Sequence, residues 1–452
     1  MQSMNQTYKL SAFLEIVTNY RISVFAYRNF LSQVESYLST LDQGEQEVYS
    51  HLLDSITADL SEEDRAHIRG AVTEIYTLSP STRTSMLREV SQRLSGDYPY
   101  TLWVPLLQLL HALPHHTPVE QHRELLYRGI VTGLVGQFEV LIAELAHAFY
   151  RRAPDAVGAD EKLLSVNDLK RFGSIDDALD FVVSNRVEDL LRGSVHDWQK
   201  FFSTRLKIDL SQHAPDWERF VESIQRRHVI VHAGGRITRR YLENVAPAVV
   251  QAYFADASLG TRISLDADYI SACVRSFEIT GLLLGYHCWS KLHDEELSLM
   301  EEDLNENIYA LLCAKEWKTV RALALWASHV AGLSSQFRIA CQMNYWQASK
   351  HLGLWNEVRR DVENFDCSAL RPVYALARAA LLEDADQFFW ILDDADGAQM
   401  DRRAWLEWPI FAPIRSDQRF NAYLRRYVPE LVQQGTDASQ PFRAAADNPG
   451  ST

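Results

Sequence analysis

Residues 215–242 read PDWERFVESIQRRHVIVHAGGRITRRYL, and the spacing of their apolar side chains sets the fold class of the chain's centre. Trp217, Phe220, Val221, Ile224, Val229 and Val231 recur at roughly helical intervals, which predicts an amphipathic helix beginning just after Pro215 and ended by Gly234 and Gly235. At about 100° of turn per residue, Arg227 and His232 stand about 140° apart, whereas His228 and His232 share a face. One helix therefore cannot focus Arg227 and His232 together. A second copy related by a two-fold axis brings two arginines and two histidines into one cleft.

The flanking sequence is helical in both directions. Arg123–Arg152 carries Leu126, Ile130, Leu134, Phe138, Ile142, Leu145 and Phe149 as a continuous apolar stripe, and the stretch Pro154 to Gly158 breaks it. Helices are expected at Ile175–Arg192 and Ser194–Leu206, and the apolar run Ala267–Leu292 closes an antiparallel bundle. Before the bundle, Leu10–Pro118 reads as several helices with apolar residues at three- and four-residue steps, among them SAFLEIVTNYRISVFAYRNFLSQVESYLSTL and, separately, EQEVYSHLLDSITADL. Beyond Asp303 come short hairpins, with YALLCAKEWKTV, QASKHLGLWNEV and ARAALLEDADQF as recurring units and Trp405–Leu424 as a terminal cap. The reading is an all-α chain with an N-terminal helical domain (1–118), a helical bundle (119–302), a hairpin repeat region (303–432) and a disordered tail (433–452).

A net charge of −15 and a pI near 5.5 argue against broad electrostatic capture of nucleic acid, while leaving room for a local basic surface. The five cysteines are widely spaced with no C-x-x-C pair, so they read as core thiols of a reducing cytosol. The N-terminus lacks a signal-peptide pattern, and apolar stretches such as Ile279–Tyr286 fall short of the ~20 residues of a membrane span. A cytoplasmic protein with no membrane association is expected. His111, His115 and His116, beside Pro114 and Pro118, read as a solvated interdomain turn in preference to a metal cluster.

Arg227-His228-Val229-Ile230-Val231-His232, followed by Ala-Gly-Gly and then Tyr241-Leu242, resembles the Arg-x-x-x-x-His signature of HEPN domains. The resemblance covers about Arg123 to His293. It implies a metal-independent endoribonuclease with a composite site in a homodimer, in a layout similar to prokaryotic defence and toxin effectors. The hairpin region, at about a 34-residue period, resembles a degenerate tetratricopeptide array, which implies a protein-binding surface.

Cleavage of RNA without a metal needs a base for the 2′-hydroxyl proton, an acid for the leaving oxygen, and cations against the charge on phosphorus. Arg227 suits the phosphate clamp, because its planar fork forms two hydrogen bonds. His232, in the last helical turn where unpaired carbonyls favour a cation, suits the acid, with its two-fold mate as base. His228 is a polar support or phosphate contact, Arg226 an outer phosphate contact, and Glu139 on the first bundle helix a residue that orients Arg or His. The Tyr that small HEPN toxins carry two residues after the motif His is replaced here by Gly234. Two other readings stand beside this one. The cations can form a solvated face matched to the helix's negative end, leaving a protein-binding scaffold with an inactive HEPN fold. A zinc site on His228 and His232 lacks the Glu of an H-E-x-x-H pattern and any nearby Cys.

Overall fold

A computed structural model describes residues 11–58, 118–157, 172–254, 257–394 and 408–427, with scattered positions at 61–70 and at 406. The helices expected between residues 71 and 117, the His111, His115 and His116 group, and the tail from 433 lie outside them. The described chain is all-α, and its one β-contact is an isolated antiparallel bridge between Arg236 and Arg262. In order the helices are α1 (Ala12–Ile56), α2 (Pro118–Arg152), α3 (Ile175–Arg192), α4 (Val195–Arg205), α5 (Trp217–His232), α6 (Arg239–Asn244), α7 (Pro247–Tyr253) and α8 (Ala267–Leu292). Then come α9 (Leu297–Cys313), α10 (Trp317–His329), α11 (Ser335–His351), α12 (Trp355–Asn364), α13 (Pro372–Leu381), α14 (Ala385–Asp394), α15 (Ala412–Arg415) and α16 (Gln418–Tyr427).

Helices α2, α5 and α8 form the expected bundle, and their rings interlock at its centre. Phe138 of α2 meets Phe220 of α5 at 5.2 Å and Phe277 of α8 at 5.6 Å. Edge-on aromatic pairs of this kind add about 0.5–1.5 kcal/mol beyond the area they bury. The fourth ring is Tyr20 of α1, 6.5 Å from Phe138, whose hydroxyl donates to the Phe277 carbonyl at 2.6 Å. Tyr20 lies close against Gly281, where any Cβ would collide with its ring. The first helix is thus a member of the bundle, and the two helices expected before residue 60 are one continuous rod through Gly44.

The boundaries expected at 118 and 302 do not divide the core. One apolar cluster runs from Phe13 through Phe138 and Phe277 to Met300, Leu304, Val320, Leu323 and Cys341. Asp303 itself accepts from Tyr286 at 2.6 Å and pairs with Arg21 at 3.1 Å. A second core, with Met343, Trp346, Leu376, Phe388, Phe411 and Ile414, begins on α11 and is closed by residues 408–427. A fragment ending at residue 302 is therefore expected to expose the face that α9 and α10 cover, and to aggregate or melt without cooperativity. Sizing and thermal circular dichroism of that fragment check this, and a sharp melt of a monodisperse fragment would contradict it.

The three repeated units share one turn. Lys315, Gly353 and Glu383 each adopt positive φ. The next residue's amide closes the turn in each case, Glu316 to Leu311, Leu354 to Ser349 and Asp384 to Ala379, all at 2.9 Å. Similar sequence has produced similar hairpins.

By length and composition, residues His122–Arg152 of α2 would suffice to cross a membrane, but half of that apolar window is buried in the bundle. Three of the five thiols, Cys273, Cys288 and Cys341, are buried.

Candidate active site

Asp216 starts α5 by accepting from the Arg219 amide at 3.1 Å, as short acids do at free helix amides. The helix ends at His232, after which Gly234 and Gly235 take positive φ and the Gly235 amide reaches back to the Val229 carbonyl at 3.1 Å. Gly235 is needed twice over, since a Cβ there would also meet the Arg128 guanidinium of α2. The chain then runs beside residues 260–263, with Ile237 donating to Thr261 and Ile263 to Gly235, each at 2.8 Å. Val229, Ile237, Tyr241, Val249 and Ile263 fill a small core under this loop. The Gly-Gly and Tyr-Leu parts of the motif thus have structural work that fixes where His232 sits.

Arg227 lies on the side of α5 that faces α2, and its Nη2 is 3.5 Å from Glu139 Oε2. Glu139, named from the sequence on the first bundle helix, stands beside this arginine. Burial raises the Glu139 pKa and Arg227 opposes that rise. Arg227 Nε is enclosed and has no hydrogen-bond partner among the described residues. Next along α5, the His228 and His232 rings lie 4.6 Å apart. Burial lowers the His228 pKa, and the charges of His232, Arg240 and Arg227 lower it further, so this ring is neutral near pH 7. His232 is exposed, as are Arg236, Arg239 and Arg240. A basic face therefore exists around the helix end, within an acidic chain.

Arg226 is elsewhere. Its side chain is 2% exposed and pairs with the fully buried Glu222, Nε to Oε1, at 2.6 Å. Its guanidinium lies 3.8 Å from the centre of the Tyr269 ring and 4.7 Å from that of Tyr253, and Nη1 donates to the Ser264 carbonyl at 3.2 Å. An outer phosphate contact was expected, and an enclosed cation that pins the following loop to α5 is found. Glu222 completes the arrangement by accepting from Tyr241 at 2.5 Å and Tyr269 at 2.9 Å.

Searched against family models, curated proteins and solved structures, the chain matches none. Its function has to be argued from the side chains themselves. Among the described residues, no three His, Cys, Asp or Glu side chains gather as a metal site. Sequence reasoning missed Glu222, although its four-residue spacing to Arg226 is the helical ion-pair signal and both stand on a largely apolar face. The effect of Arg240 on His228 depends on how α6 folds back, which no spacing rule gives.

Proposed function

We propose that this chain is a metal-independent endoribonuclease that works as a homodimer, with Arg227, His228 and His232 as its reacting groups. The observation that carries the reading is the placement of Arg227. It is an arginine steadied at one nitrogen by Glu139, with an enclosed donor that no group among the described residues satisfies, adjacent along α5 to a histidine pair. An enclosed donor left open beside two histidines suits a site whose partner arrives with the substrate. The guanidinium binds the scissile phosphate. Neutral His228, or its two-fold mate, takes the 2′-hydroxyl proton as the 2′-oxygen attacks phosphorus. His232 gives a proton to the departing 5′-oxygen as that P–O bond breaks. The exposed Arg236, Arg239 and Arg240 supply phosphate contacts along the strand.

No set of acidic ligands suited to magnesium accompanies the motif. Cleavage of labelled RNA is accordingly expected to persist in EDTA and to leave a 2′,3′-cyclic phosphate or its hydrolysed form. Loss of activity in EDTA with recovery on adding magnesium or manganese would overturn this.

The dimer is supported by exposed apolar residues at the site. Val140, 50% exposed, follows Glu139, and Val231, 47% exposed, lies one turn beyond Arg227. Sedimentation at micromolar protein should show a dimer. A strict monomer that still cuts RNA would count against it.

A second reading, a protein-binding scaffold, is favoured by one observation in the hairpins. Trp346 is buried, but Trp390 on α14 is 66% exposed, an aromatic of the kind that anchors a partner. A folded, dimeric protein that never cleaves RNA would favour that reading.

A further inference from the structure

Away from Arg227 and His232, a cleft of about 970 Å³ opens where the start of α5 and the middle of α8 face α10 and the turn before α12. Small-molecule sites run roughly from 300 to 1,000 Å³. Tyr253, Leu283 and Trp326 give it an apolar wall able to take a flat ring system. Four cations, Arg219, Arg275, Lys318 and Arg321, line it against a single carboxylate, Asp216. In a chain of net charge −15 this reverses the prevailing sign.

Two of these cations are already paired. Arg219 meets Asp216 at 3.3 Å, and Arg321 meets Glu357 at 3.3 Å while donating to Ser349 and Tyr345. Arg275 and Lys318 pair with no acid among the described residues. Arg275 also stands near like charge: burial lowers the Arg28 pKa, Glu316 resists, and Arg275 lowers it further. Deeper in, His213 Nε2 and His287 Nδ1 lie 3.0 Å apart, and burial above all drives both rings down to about 4, leaving neutral hydrogen-bonding groups.

Unpaired cations beside an aromatic wall select for a ligand that has both an anionic and a flat apolar part. We propose that this cleft binds an organic phosphate of nucleotide size, with its ring system against Trp326 and Leu283 and its phosphate on Arg275 and Lys318. Because Arg275 belongs to α8 and Lys318 to α10, the ligand joins the bundle to the hairpins. It thereby stiffens the seam between them.

Titration calorimetry of the full-length protein with ATP, adenosine and inorganic triphosphate tests the assignment. ATP should bind, with adenosine and triphosphate each weaker by roughly tenfold or more. Lys318→Glu and Arg275→Gln should each weaken ATP by roughly tenfold or more with an unchanged helical spectrum, since Lys318 is exposed and Arg275 has no acid to abandon. Arg227→Ala should leave ATP binding intact. The proposal falls if ATP does not bind at millimolar concentration, if triphosphate alone binds as tightly as ATP, or if both cleft variants bind ATP normally. It also falls if Arg227→Ala abolishes binding, since that outcome places the anion on the other face.

Discussion

Arg227→Ala and His232→Ala are each expected to lower RNA cleavage by about 10²–10⁴-fold, the range for removing an electrostatic clamp or an acid–base group. Neither change should disturb the fold. Arg227 is partly exposed and its single ion pair, to Glu139, is long at 3.5 Å, while His232 is exposed at the helix end. Arg227→Lys separates charge from geometry. A lysine restores the positive charge but not the planar fork, so activity should recover only in part. The measurement is a single-turnover rate on labelled RNA in EDTA, with circular dichroism and sizing as controls. Cleavage at the wild-type rate by both alanine variants would place the chemistry elsewhere.

Glu222→Ala should be the most damaging change to stability in this region, at about 3–5 kcal/mol. The reason is what it leaves behind: Arg226, 2% exposed, would keep its charge with no carboxylate, and Tyr241 and Tyr269 would lose the acceptor of their hydroxyls. A fall in melting temperature of about 5 °C corresponds to that cost in a chain of this length. The paired variant Glu222→Leu with Arg226→Met should recover much of the loss, because replacing both ions removes the stranded charge. A melt of Glu222→Ala matching wild type would show that the pair adds nothing. Cleavage by the double variant serves as a separate readout, since α5 would then stay folded but its following loop would lose its anchor.

The sequence was most informative where period and punctuation agreed. The apolar stripe and the Pro215 and Gly234 limits of α5, the break after Arg152 and the span of α8 all follow from local rules, and the structure returns them within a residue or two. The limits set by long-range packing were not legible. The composition around Asp42, Gln43 and Gly44 resembles a linker, yet α1 runs through it, because a weak helical position is tolerated inside a long cooperative helix. The shift in texture near Asp303 is real as sequence but lies within a continuous core, since α9 and α10 share one apolar cluster with α8 and α1. At the site, Glu139 was reachable from its helix face. The opposite fates of Arg226 and Arg227, adjacent in sequence, were not. About 100° of helical rotation turns one toward a ring of tyrosines and a buried acid and the other toward α2.

The rod-like first helix gives the molecule a lever. Its first half is gripped on several sides, by Tyr20 at Phe277, by Arg28 at Glu278 and Glu316, and by Leu38 in a small cluster with Leu126. The remaining turns to Ile56 extend about 27 Å further at about 1.5 Å per residue. The outer end has attachments of its own, with Leu53 and Thr57 buried and Asp54 paired to Arg69. A tilt of about 10° at the grip swings Ile56 by about 5 Å. At the gripped end, the Tyr20 ring packs edge-on against the same Phe138 that packs on Phe220 of α5. Three rings, Tyr20, Phe138 and Phe220, thus join the first helix to the one that carries Arg227.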